Sequence, residues 1–177
     1  MKCWLNRKQV SLVSFVTGAT GFIGRRLLVG LKATDESLKV LSRQSNPNYE
    51  TIVCDLQKEV IPCNSLEGID TVFHLAGFAH DLRDASKLEQ LYRPVNVEVT
   101  VRLAELAVSS GVKRFIFVSS VKAGGTFEDG ESAEGVYGQT KREAELKILE
   151  IGRQSEMHVS IVRPSLVYGP GVKGNLA

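Results

Sequence analysis

Six short stretches of this chain are apolar almost without interruption, and patterns of helical period stand between them. The stretches are SLVSFVT (Ser11–Thr17), KVLSR (Lys39–Arg43), TIVCD (Thr51–Asp55), DTVFHLA (Asp70–Ala76), RFIFVSS (Arg114–Ser120) and VSIVRP (Val159–Pro164). A strand with one wet face alternates apolar and polar residues, whereas a strand covered on both faces does not. Helical spacing recurs at Phe22, Ile23, Leu27, Leu28 and Leu31, again over Val95–Ser109, and again over Tyr137–Ile151. Strands alternating with helices require crossover connections, and these build a parallel sheet with helices on both faces.

Composition narrows the functional classes. The chain has 177 residues, 43% hydrophobic and 24% charged, the balance of a soluble globular domain. Its net charge is +2, with Lys and Arg scattered, so nothing marks a nucleic-acid surface. No apolar run reaches the length of a membrane span. The start, MKCWLNRKQV, lacks the apolar core of a secretory signal, so a cytoplasmic location is expected. Cys3, Cys54 and Cys63 show no C-x-x-C spacing and read as reduced thiols, with no metal site. One polar, glycine-rich loop stands out, from Val121 to Gly135.

The first strand runs into TGATGFIG, with Gly18, Gly21 and Gly24 spaced three apart, and then into a helix. Glycine allows the tight turn and lets backbone approach a ligand with no Cβ in the way. The N–H groups and dipole of the helix start then favour an anion, and a pyrophosphate suits that place. The expected fold is therefore a Rossmann-like α/β domain: a doubly wound parallel sheet in three layers, α/β/α, with strand order 3-2-1-4-5-6. At the end of the second strand an acid would hold a ribose 2′-hydroxyl. Here Ser42 and Arg43 stand instead, which tilts the cofactor toward NADP. Asp55, ending the third strand, either accepts from an adenine amino group or caps the following turn.

Further along stands Tyr137-x-x-x-Lys141, with both side chains on one helix face. The spacing alone arises by chance in about one such chain in four. A phenol titrates near pH 10. A neighbouring ammonium and a cationic nicotinamide would both favour the phenolate, making Tyr137 a base at neutral pH. Ser120 ends the fifth strand at the ligand-binding edge, with Ser119 as second choice. His74 lies in an apolar strand and reads as a satisfied core histidine. Asn96 reads either as a residue near the site or as the N-cap of its helix. His80 and Asp81 read as the start of a solvated loop.

The pieces TGATGFIG (17–24), CDL (54–56), HLAG (74–77), VNVEVT (95–100), FIFVSS (115–120), YGQTK (137–141) and RPSLVYGPG (163–171) stand in one order. With them the chain resembles the extended short-chain dehydrogenase/reductases, specifically the nucleotide-sugar epimerase/dehydratase group. The resemblance implies an NAD(P)-binding domain over residues 11–170, with 171–177 opening a substrate-binding portion that lies beyond the chain. It implies catalysis by Ser120, Tyr137 and Lys141, with Lys141 also holding the nicotinamide ribose. It implies cofactor contacts from Gly18, Thr20, Gly21, Phe22, Ile23 and Gly24. Further contacts are implied for Ser42, Arg43, Asp55 and Leu56, for Leu75, Ala76 and Gly77, and for Asn96 and Pro164.

The activity so implied is epimerisation of a nucleotide sugar, as in UDP-glucose 4-epimerases, with NAD or NADP and a transient keto sugar. Dehydratases of the group carry Asp-Glu after the catalytic hydroxyl; here Val121 and Lys122 follow Ser120, which argues against dehydration. An NADP-dependent ketone or aldehyde reductase and a silent nucleotide-binding module are the alternatives. Family members often dimerise through two long helices, here Val95–Ser109 and Tyr137–Ile151. No nucleic-acid or membrane partner is expected.

Overall fold

The computed structural model describes residues 12–34, 36–78, 90, 92–124 and 132–172. Cys3, the loop expected at His80 and Asp81, residues 125–131 of the glycine-rich loop, and residues 173–177 lie outside them.

Six strands form one sheet: β1 (Val13–Thr17), β2 (Ser37–Ser42), β3 (Glu50–Val53), β4 (Thr71–His74), β5 (Arg114–Val118) and β6 (His158–Val162). Their order is β3-β2-β1-β4-β5-β6, and every pairing is parallel. All six therefore finish at one edge. The order reverses between β1 and β4, where ligands enter open sheets of this kind. Helix α1 (Phe22–Lys32) follows β1, α2 (Val99–Ser109) precedes β5, and α3 (Gly135–Arg153) precedes β6.

The pleat sends successive side chains to opposite faces, and the two cores follow it. Phe15, Leu41, Val72, Phe115 and Phe117 point to one face, beneath Leu103, Ala104 and Ala107 of α2 and Ala144 and Ile148 of α3. Their neighbours Val16 and Val40 point to the other, against Leu28 of α1, with Phe73 at the margin. This is the three-layer arrangement. Phe15, Phe115 and Phe117 are completely buried. Each contributes roughly 1.5–3 kcal/mol by leaving water, against the entropy of ordering the chain.

The second helix departs from the expected Val95–Ser109. It enters through a π-helical turn, Pro94–Glu98, in which the Val99 N–H reaches back five residues to the Pro94 carbonyl. Pro94 has no N–H to give to a preceding turn, and the wider turn rotates Asn96 inward. Among the described residues no helix is long and apolar enough to cross a membrane. Nor, among them, do three His, Cys, Asp or Glu side chains gather as metal ligands would.

Candidate active site

A cleft of about 770 Å³ opens at the strand-end edge, in the size range of small-molecule sites. Its floor is the glycine turn. Gly18 sits at φ +70°, and a Cβ there would lie 2.7 Å from the Ala76 nitrogen and the Leu75 carbonyl carbon. A Cβ on Gly24 would run into the Gly18 carbonyl oxygen, so α1 packs against its own strand end only as glycine. Gly21 is the N-cap of α1 and brings no side-chain acceptor, and no acid stands in the first turn. The helix start is left open to an anion. Arg25, on the next turn, lines the same cleft and adds positive charge. A bare cradle, an uncapped helix start and a cation together fit a dinucleotide's pyrophosphate.

The opposite wall is built by α3. Gly138 lets the helix touch the turn that follows β5, where a Cβ would collide with the Lys122 carbonyl. The Glu134 N–H donates to that carbonyl at 2.8 Å. The contact brings Ser120 beside Tyr137 on the cleft wall, close enough for the Ser120 hydroxyl to act on the phenol's titration. Ser120 Oγ also accepts from the Lys122 N–H at 3.3 Å. Lys141 is buried; its ammonium donates to the Val118 carbonyl at 3.0 Å and lies 4.5 Å from the Phe117 ring centroid. Burial lowers the Lys141 pKa to about 8, against the opposing pull of the Glu145 carboxylate. Glu145, one turn on and fully buried, is held by Arg163 through Nε at 2.9 Å and Nη2 at 2.5 Å. Arg163 Nη1 reaches the Gly124 carbonyl at 2.8 Å, tying β6, α3 and the Ser120 turn together.

One expectation is corrected here. The free protein does not favour the Tyr137 phenolate. Burial pushes the phenol above its usual value, the nearby Ser120 hydroxyl offsets this in part, and Tyr92 adds to the rise. The reason is geometric: the Lys141 ammonium is turned to the Val118 carbonyl and the Phe117 ring. Desolvation then dominates.

The structure gathers Gly18, Thr20, Gly21, Phe22, Ile23 and Gly24 around the cleft with Leu75, Gly77, Ser120, Tyr137, Lys141 and Pro164. Ala76 stands behind the lining, its N–H on Thr17 Oγ1 at 3.1 Å. Ser119 lines the cleft, but its hydroxyl is buried and finds no hydrogen-bond partner among the described residues. Asn96 is fully buried and is not an N-cap. It brackets Phe78, accepting from its N–H at 2.7 Å and donating to its carbonyl at 3.1 Å. His74 is a core histidine, satisfied by Thr17 and Thr100.

The ends of β2 and β3 stand apart from this cleft lining. Arg43 is exposed, and Ser42 Oγ receives only a long contact, 3.5 Å, from the Gln44 N–H. Asp55 Oδ1 accepts from the Gln57 N–H at 3.1 Å, and its carbonyl accepts from Lys58 and Glu59; it caps the following turn. Leu56 packs against the main core. Missed in the sequence were Arg25, Tyr92 and the segment from Ser165 to Val172, much of which roofs the cleft. Arg26 latches that segment, donating to the Pro170 carbonyl at 2.7 Å. Arg25 could have been found as a cation one turn into a phosphate-facing helix.

Relatives carry the same architecture. The chain is 37% identical to a UDP-glucose 4-epimerase of Vibrio cholerae over 99% of its length and 57% of the relative's. It is 29% identical to a 3-beta-hydroxysteroid dehydrogenase of Mycolicibacterium neoaurum, over 88% of the chain and 48% of the relative. The chain thus spans about half the length of these relatives. Among solved structures, MoeE5 in complex with UDP-glucose and NAD superposes with a TM-score of 0.78 at 33% identity, over 90% of this chain and 56% of that one. The family model described as NAD dependent epimerase/dehydratase matches residues 14–177. With the glycine cradle, the Ser120–Tyr137 pair and the buried Lys141 on one cleft, the chain belongs to the NAD-dependent epimerase/dehydratase family.

Proposed function

We propose that this protein epimerises a nucleotide-linked sugar, in the manner of UDP-glucose 4-epimerases, with NAD held across the glycine turn. The observation that carries the reading is the placing of Ser120, Tyr137 and Lys141 together on the wall of the cleft whose other side is that turn. Support comes from the 37% identity to a UDP-glucose 4-epimerase and the likeness to a UDP-glucose complex.

In this reading the first-turn N–H groups of α1 and Arg25 hold the pyrophosphate, and Lys141 holds the nicotinamide ribose. When bound, the nicotinamide supplies a hydride acceptor and then the donor that returns it. Ser120 hydrogen-bonds the sugar oxygen that reacts. Tyr137 takes the proton from that hydroxyl as the carbinol becomes a ketone, and returns it when the alcohol re-forms with the other configuration. Val121 and Lys122, following Ser120, supply no acid–base pair for eliminating water.

The test is a single turnover. NAD-loaded protein mixed with UDP-glucose is expected to show a transient rise in reduced-nicotinamide absorbance, then decay as the 4-epimer forms. No transient, or the same transient in Tyr137→Phe, contradicts the reading. A second reading, an alcohol dehydrogenase or ketone reductase, is favoured by the likeness to a 3-beta-hydroxysteroid dehydrogenase and by Arg43, which suits NADP. Net consumption of cofactor with no epimer formed selects it.

A further inference from the structure

Between the two walls of the cleft runs a buried polar seam that the proposed chemistry does not use. Thr17, His74, Thr100 and Asn96 are each fully buried, and Thr140 nearly so. The direction of every hydrogen bond in the seam is fixed by counting hydrogens. Thr100 Oγ1 has one, and it goes to the Asn96 carbonyl at 2.8 Å. Towards His74, at 2.9 Å, Thr100 can therefore only accept, so Nε2 carries the imidazole proton. Nδ1 is then a lone pair and accepts from Thr17 Oγ1 at 2.7 Å. Thr17 in turn accepts from the Ala76 N–H at 3.1 Å. From Asn96 the seam continues on the side-chain amide. Its Nδ2 donates to Thr140 Oγ1 at 3.3 Å, and that hydroxyl donates to the Tyr137 carbonyl at 2.9 Å.

We propose that His74 is a positioning residue, which as the Nε2–H tautomer joins the Leu75–Gly77 floor of the cleft to the Asn96 turn and so to the start of the Tyr137 helix. This rests on the active-site reading above. A chain of donors running one way through a water-free core has a single low-energy arrangement. Moving α3 relative to β1 breaks one member and leaves its neighbours unsatisfied. The seam crosses β1, β4, the π turn, the start of α2 and α3, the elements that must hold cofactor floor and phenol at one separation. The two rings flanking the imidazole, Phe115 at 6.1 Å and Phe117 at 5.7 Å, offer no alternative acceptor.

The test uses Thr100→Val, which keeps shape and removes the acceptor, and Thr100→Ser, which restores it. In the unsubstituted chain, imidazole nitrogen NMR is expected to report Nε2–H. In Thr100→Val the Nε2–H loses its acceptor while Thr17 still donates to Nδ1, so the Nε2 proton is expected to exchange faster with solvent. Amide exchange at Phe78, whose N–H rests on Asn96, should quicken by about three- to tenfold, the worth of one buried hydrogen bond. NAD affinity should weaken by a similar factor, and Thr100→Ser should recover both. An Nδ1–H imidazole in the unsubstituted chain overturns the proposal, as does Thr100→Val with unchanged exchange at Phe78. A chain that fails to bind NAD defeats the active-site reading instead, and the imidazole and exchange measurements still decide the role of His74.

Discussion

The two halves of the strand-end crevice are built differently. Around β1, β4 and β5 nearly every polar group is buried and committed: Thr17, His74, Asn96 and Thr100 to one another, Lys141 to Val118, Glu145 to Arg163. Around the ends of β2 and β3 the polar groups are exposed or bonded within their own turns, as in Ser42, Arg43 and Asp55. The first half is held by its own hydrogen bonds. The second has no partner-determined shape and can be altered at little cost. The difference matters because chemistry needs atoms held in place, whereas discrimination between NAD and NADP needs only a charge within reach.

If that contrast is right, substitutions in the inner half cost much and those in the outer half little. Tyr137→Phe is expected to lower turnover by about 100- to 10,000-fold while NAD affinity stays within a few fold, since only the proton-transfer group is lost. Calorimetric titration beside a turnover assay separates the two. Arg163→Ala leaves the fully buried Glu145 carboxyl stripped of its guanidinium. A loss of about 3–5 kcal/mol in urea unfolding is expected, the cost of breaking a buried pair from one side.

Acid should weaken the inner half by a predictable slope. Burial first, and the Lys141 charge second, lower the His74 pKa from 6.5 to about 3. The unfolded chain therefore takes up this proton first as pH falls. The fold loses up to about 1.4 kcal/mol per pH unit below pH 6.5, until His74 itself titrates. Lys141 acts at the other end. Its pKa is lowered from 10.5 to about 8, so the fold gains stability as pH rises through that window. Urea midpoints across pH check both signs. Least of all, Arg43→Ala should leave NAD affinity unchanged and weaken NADP by about tenfold, the worth of one charge-assisted contact. A large loss of NAD affinity there would erase the distinction between the two halves.

Much of this was legible in the sequence, and the reasons are specific. The strands could be read because double-sided burial leaves unbroken apolar runs, as in RFIFV of β5. The glycine turn could be read because Gly18 and Gly24 meet backbone on every side and admit no alternative. Asn96 was ambiguous because an i to i−5 bond leaves no periodic mark, so nothing showed that Pro94 opens a wider turn and swings the amide inward. The effect of Lys141 on Tyr137 is not legible in the sequence for a related reason. Spacing of four puts both residues on one face, but whether an ammonium points at the phenol depends on the Val118 carbonyl and the Phe117 ring, which come from β5, with Val118 23 residues before Lys141 and beyond any helix rule. Arg163 and Glu145 leave no sequence signal because their pairing joins residues eighteen apart on different elements; they act on the cleft through Gly124 and Lys141.

The phenol of Tyr137 offers the most direct measurement. Its titration can be followed as the phenolate absorbance difference between the unsubstituted chain and Tyr137→Phe, with and without saturating NAD. Burial holds the phenol above its ordinary value in the free protein, so the account predicts a late titration there and a clear downward shift with NAD, whose cationic ring favours the anion. A Tyr137 that titrates at the same pH with and without bound NAD would place the cofactor away from the phenol and contradict the account.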